Sequence, residues 1–170
     1  MKQFNVQDVG SRLQETITMD LAWYITGFTD GEGCFSISFT KREKLHSGIE
    51  VRPSFAVGQN KKSLAVFQLM HTYFGCGAIR FSKSDQMYKY EVRSIQDLQK
   101  RIIPHFEKYP LQTVKRSDFE SFKYICELIS TSRHLNKGFL LELINRAYTM
   151  NESGKRKYQV QELLKIIEAR

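Results

Sequence analysis

The segment from Leu21 to Thr40 narrows the fold more than any other part of the chain. Leu21-Ala22-Trp23-Tyr24-Ile25-Thr26-Gly27-Phe28 is apolar nearly all round, which suits a helix buried on most of its surface, and Asp20 can cap its free backbone amides. The helix is expected to end in Thr29-Asp30-Gly31-Glu32-Gly33, where two glycines permit the backbone angles of an abrupt exit. Alternation then begins. Phe35, Ile37 and Phe39 are apolar, while Ser36, Ser38, Thr40, Arg42 and Lys44 are polar or basic, the pattern of a half-buried strand. After a break at His46-Ser47-Gly48, Ile49, Val51, Phe55 and Val57 alternate with Glu50, Arg52 and Ser54. The two runs read as one long antiparallel hairpin, with Pro53 placed where a backbone donor is not needed.

The remaining pattern fills in the order of elements. Helical spacing over 62–74, at Leu64, Phe67, Leu69, Met70 and Phe74, stops at Gly75-Cys76-Gly77. A shorter hairpin is expected over 78–83 and 87–93, with Ile79, Phe81, Tyr90 and Val92 inward. Helices should follow over 95–107, 116–129, 137–150 and 158–168. Residues 1–19 show no sustained period and read as a loose arm. This is an α+β order with an antiparallel sheet, and 170 residues suffice for one well-buried core, so residues 1–170 are read as one domain in which 131–170 form a C-terminal helical extension.

Charge and cysteine usage restrict the function classes. A formal charge of +8, from 26 Lys and Arg against 18 Asp and Glu, favours a polyanionic partner such as nucleic acid. No apolar run approaches the roughly 18 residues needed to span a bilayer, and the first twenty residues are not signal-like, so an intracellular protein is expected. Cys34, Cys76 and Cys126 form no paired motif and are read as reduced.

The nine residues Ile25-Thr26-Gly27-Phe28-Thr29-Asp30-Gly31-Glu32-Gly33 resemble the LAGLIDADG motif of the homing endonucleases. Ile and Thr replace the leading Leu and Ala, and Glu replaces the second Asp; both kinds of carboxylate bind hard cations through oxygen. The resemblance continues through the strand, strand, helix order to about residue 130. It implies an α-β-β-α-β-β-α core with a saddle-shaped antiparallel sheet. Because this chain carries one copy of the motif, it also implies a C2 homodimer in which Gly27 and Gly31 let two motif helices approach closely.

Two carboxylates brought together at the ends of such helices repel unless divalent ions neutralise them. The resemblance therefore implies Glu32 and the Gly31 carbonyl as ligands of Mg²⁺, with Mn²⁺ able to substitute, and hydrolysis of phosphodiester bonds in both strands of a long, pseudo-palindromic double-stranded DNA site. It further implies a water-orienting polar residue, for which Gln59 is the candidate, and a basic residue near the scissile phosphate. Lys115 is the choice for that role, with Arg116, Lys61 and Lys62 as competitors. The polar strand faces become the expected DNA surface: Ser36, Ser38, Thr40, Arg42, Lys44, Glu50, Arg52 and Ser54 on the first hairpin, and Arg80, Ser82, Lys89, Glu91 and Arg93 on the second. Hydroxyls and forked cations in this mixture suit base edges in a major groove. A nucleic-acid-binding protein on the same fold that does not cut, such as an RNA-splicing maturase or a regulator, is the alternative. An intron-encoded protein of an organelle or a microbe is the expected setting, and Lys155-Arg156-Lys157 either touch phosphates or are solvated.

Overall fold

The computed structural model describes residues 6–151 and 154–169, with side chains from residue 18 onward. Helix α1 (Val6–Glu32) leads straight into strand β1 (Gly33–Lys41), which turns back into β2 (Ile49–Asn60). Helix α2 (Leu64–Phe74), β3 (Ala78–Ser82) and β4 (Met87–Val92) follow. A helical stretch comes next: α3 (Ile95–Asp97), a π turn (Leu98–Ile102) and α4 (Ile103–Lys108). The chain continues through α5 (Lys115–Ser130), α6 (Lys137–Tyr148) and α7 (Val160–Glu168). This is the expected α+β order. The loose arm is not: from Val6 onward it is helix, and Asp20 lies inside α1 rather than capping it. The polar run before Leu21 contains no proline, so a helix nucleated by the buried segment can propagate backward at little cost.

The four strands form one antiparallel sheet in the order β1-β2-β4-β3. Register fixes the faces. Phe35 pairs with Phe55, Val57 with Tyr90 and Phe55 with Val92, so these side chains share the inner face, which the helices cover. Phe35 is fully buried at its centre, 5.2 Å from the Phe55 ring and 5.3 Å from both Phe106 and Phe122. One continuous cluster takes in α2, α4, α5 and also the C-terminal helices, through Leu140, Leu143, Ile144, Ala147, Leu163 and Ile167. Phe81 departs from expectation: it is 41% exposed, because β3 is the edge strand farthest from β1, and its ring lies against Tyr88 at 4.8 Å. Gly75 closes α2 in the left-handed conformation, φ 62°, that a side chain disfavours.

The other sheet edge is closed by the C-terminal extension. Asn151 Nδ2 donates to the Phe35 carbonyl at 2.7 Å, and Arg156 Nη1 donates to that of Ile37 at 3.3 Å, so the outer carbonyls of β1 are not left as a template for pairing. Arg156 Nη2 also reaches the Ala147 and Met150 carbonyls, both at 2.6 Å, at the end of α6. Arg156 is therefore an anchor and is neither a solvated charge nor a phosphate ligand. Its neighbours Lys155 and Lys157 are exposed.

A buried polar cluster ties α1 to α4. Thr26 Oγ1 donates to the Tyr109 carbonyl at 3.0 Å, so it must accept from His105 Nε2 at 3.1 Å, which leaves Nδ1 to accept from the Tyr73 hydroxyl at 3.0 Å. The neutral imidazole is thereby satisfied, and burial lowers its pKa to about 4. A depressed histidine pKa contributes stability in full above its unfolded value of about 6.5, and this is lost as pH falls from there towards 4. Between pH 7 and pH 5 the loss should be about 2 kcal/mol. Chemical denaturation of the wild type and His105→Gln across that range checks it: the difference between the two should shrink on acidification. A constant difference would show that His105 carries no such linkage.

Candidate active site and nucleic-acid face

Helix α1 delivers its last residues to one end of the sheet. Gly33 pairs with Val57 there, and Gln59 lies two residues further along β2. Neither Gly31 nor Gly33 takes a positive φ, contrary to expectation. Gly33 is needed for space instead: a Cβ there would lie 2.5 Å from Thr29 Cγ2 and 2.7 Å from the Thr29 carbonyl oxygen. A side chain at this position would push β1 away from the end of the motif helix.

The two motif acids face different surroundings. Asp30 is bonded to the loop before α5: Oδ2 accepts from Gln112 N at 2.8 Å and Thr113 N at 3.1 Å, and Oδ1 accepts from Thr113 Oγ1 at 2.6 Å. Glu32 is exposed, and no described residue hydrogen bonds or pairs with its carboxylate. Lys115, the first residue of α5, comes to the same place, its Nζ donating to the Gly33 carbonyl at 2.5 Å. Of the basic candidates, Lys115 alone is seen in this contact. Arg116 and Lys62 are exposed, and Lys61 Nζ is drawn to Gln86 in the β3–β4 turn at 3.1 Å. Gln59 lies at the same end of the sheet as Gly33, and its Oε1 is engaged locally, accepting from the Asn60 amide at 2.8 Å.

The last carbonyls of α1 have no intrahelical donor, and the helix dipole makes this end negative. Glu32 and the Gly31 carbonyl thus offer hard oxygens to a cation. Among the described residues, no group of three or more His, Cys, Asp or Glu could hold a metal by itself.

The face of α1 opposite the core is left largely open by the described residues, with Trp23 keeping one edge contact to Tyr109 at 5.4 Å. Met19, Trp23 and Tyr24 are 48%, 44% and 49% exposed, while Ala22, Ile25, Thr26 and Thr29 are buried. The expectation of a helix buried on most of its surface therefore holds for one side only. A Cβ at Gly27 or Gly31 would meet nothing within 4 Å, so the fold of the single chain does not explain these glycines.

The outer face of the sheet gathers most of the expected groove residues. Register sets Ser36 beside Ser54, Ser38 beside Arg52, Thr40 beside Glu50, and Arg80 beside Lys89. Ser82 and Arg93 continue the same face at its margins. Two expectations need correction. Lys44 lies in the turn after β1, because pairing ends at Lys41 with Ile49. Glu91 is buried and cannot present itself to a groove. It holds Lys89 at 2.8 Å, Arg93 at 3.0 Å and Ser54 at 3.1 Å. Burial alone would raise its pKa, but the Lys89 hydrogen bond and the charges of Lys89 and Arg93 keep it below the usual value. Glu50 plays a similar part at the far end, held low first by the Arg52 hydrogen bond and then by Arg42. A groove of about 400 Å³ runs along the β1 edge, between Ser36, Ser38 and Thr40 and the segment carrying Lys155 and Lys157.

The profile of the LAGLIDADG endonucleases matches residues 25–126, which is more than half of the chain and contains every element of the site. The chain belongs to the LAGLIDADG endonuclease family. Among solved structures, the archaeal intron-encoded homing endonuclease I-Vdi141I complexed with DNA is 29% identical, with a TM-score of 0.80 over 87% of this chain and 94% of its own. The homing endonuclease I-TnaI is 30% identical, with a TM-score of 0.75 over 87% of this chain and 96% of its own. Among curated proteins, probable intron-encoded endonuclease 3 of Neurospora crassa is 32% identical over 151 residues, 88% of this chain. The chain spans 26% to 28% of the length of three relatives from Podospora anserina and Neurospora crassa, and 47% of one from Mycosarcoma maydis. The bonds of Asp30 to Gln112 and Thr113 are not announced by the sequence, where its place in the motif, two residues before Glu32, is the available signal.

Proposed function

We propose that the chain is an intron-encoded, site-specific DNA endonuclease that acts as a homodimer on a long, pseudo-palindromic duplex. One observation carries the reading: Glu32, exposed and without a partner among the described residues, directly precedes Gly33, whose carbonyl accepts from Lys115 Nζ, at the end of a helix whose Gly27 and Gly31 face is open. A second copy packed on that face brings two such carboxylates together and accounts for glycines that the single chain does not require. Structural neighbours of nearly this length support a one-motif protein.

The outer sheet face supplies recognition. A 12-residue strand such as β2 spans roughly 40 Å, comparable to one turn of B-DNA. Arg52, Arg80, Lys89 and Arg93 can donate to guanine edges, the serine and threonine hydroxyls suit other base edges or phosphates, and two such faces cover on the order of 20 base pairs. At the junction, Glu32 and the Gly31 carbonyl of each chain would hold Mg²⁺. Bound there, the ion supplies charge neutralisation and acidifies water. Lys115, kept in place by the Gly33 carbonyl, offers a positive charge to the phosphate that gains negative charge during attack. Gln59, once released from the Asn60 amide, can orient the attacking water.

Incubating the protein and Mg²⁺ with a random duplex pool, then sequencing bound and cleaved fractions separately, tests this. Cleaved molecules sharing one two-fold related site are the expected result. Sites that are enriched by binding but never cut would favour the non-cutting DNA-binding alternative.

A further inference from the structure

We propose that Asp30 is a positioning residue, which sets Lys115 against the active site through the 110–114 loop. This rests on the nuclease reading above. A carboxylate in the last turn of a helix lies at the negative end of the dipole, an unfavourable place for it, so its retention there needs compensation. The compensation is visible: Asp30 takes two backbone amides and one hydroxyl from Gln112 and Thr113. Thr113 then passes the constraint on, because the Oγ1 that donates to Asp30 also accepts from Lys115 N at 3.2 Å. Two hydrogen bonds thus join the motif to the first residue of α5, whose Nζ returns to Gly33, three residues after Asp30.

Little else holds this loop. Leu111 is 1% exposed and Phe119 is 2% exposed, but Gln112 and Thr113 are exposed and Val114 is 91% exposed. Leu111 anchors the start of the loop and Phe119 the first turns of α5, but no side chain from Gln112 to Lys115 is buried. Its backbone takes its position from Asp30, and the two motif acids divide the work: Glu32 faces the reaction, and Asp30 faces the loop that brings the cation.

Single-turnover cleavage of the selected target with the full chain tests this, using Asp30→Asn, Thr113→Val and Lys115→Met. Affinity is measured separately, on the Glu32→Gln background. Asp30→Asn should slow cleavage by 10- to 100-fold with affinity changed less than threefold, and Thr113→Val should slow it by a smaller factor. In a Lys115→Met background, Asp30→Asn should cost nothing more. A merely structural defect would not disappear in that background. If Asp30→Asn proves unstable, Thr113→Val, at an exposed loop position, gives the same comparison. An equal cost with and without Lys115, no cost at all, or a loss of affinity as large as the loss of rate would overturn the proposal. Should the wild type bind its selected site without cutting it, the nuclease reading fails instead.

Discussion

Glu32→Gln is expected to reduce Mg²⁺-dependent cleavage by on the order of a thousand-fold or more while leaving DNA affinity within about threefold. The size follows from what the side chain does not do in the fold. Its carboxylate is exposed and, among the described residues, unpaired, so the amide replaces no bond seen there and uncovers no buried group. What disappears is the charged oxygen donor offered to a cation, and in the proposed homodimer it disappears from both chains. Binding should persist, because the outer sheet face begins beyond the motif and depends on Arg52, Arg80, Lys89 and Arg93. Affinity with the substituted protein, cleavage rate and melting temperature together separate the effects. Wild-type cleavage by Glu32→Gln would remove the proposed chemistry, whereas a large fall in melting temperature would show that Glu32 has a structural role absent from the contacts above.

The legible part of this molecule is the part governed by period and by short-range geometry. Alternation from Phe35 to Phe39 and from Ile49 to Val57 gives both strands and both faces, because a one-residue slip would exchange every side chain. The motif turn points to Glu32, while the family resemblance leaves Lys115 in competition with Arg116, Lys61 and Lys62 until the contact of Lys115 Nζ with the Gly33 carbonyl is seen. Long-range pairing hid the rest. Glu91 has the sequence context of an outward residue, and only the third dimension shows Ser54, from another strand, closing over it with Lys89 and Arg93. Arg156 sits between two lysines in a solvent-like run, yet its guanidinium is held by three carbonyls, two of them at the end of α6. Asp30 likewise finds its partners more than eighty residues away.

Gly27→Leu should convert the protein from a dimer into a monomer and remove most cleavage, without destabilising the isolated chain. The two effects have opposite signs, which makes the test sharp. Gly27 lies inside α1, where leucine gains roughly 0.7–1 kcal/mol over glycine in intrinsic helix preference. Open space surrounds the position, with nothing within 4 Å of an added Cβ, so no clash in the single chain offsets that gain. The monomer should therefore keep its melting temperature or raise it. Across a close helix pair, by contrast, each added side chain enters the space that the partner backbone needs, and the symmetry of a C2 contact imposes the penalty on both copies. Sedimentation equilibrium at micromolar concentration should report a mass near twice 19.9 kDa for the wild type and near 19.9 kDa for Gly27→Leu. Cleavage of both strands should fall at least 100-fold, since one chain supplies only one Glu32 and half of the reading surface. A wild type that stays monomeric with and without its DNA target, or a Gly27→Leu protein that still dimerises and cuts, would place the partner of this helix elsewhere than in a second copy.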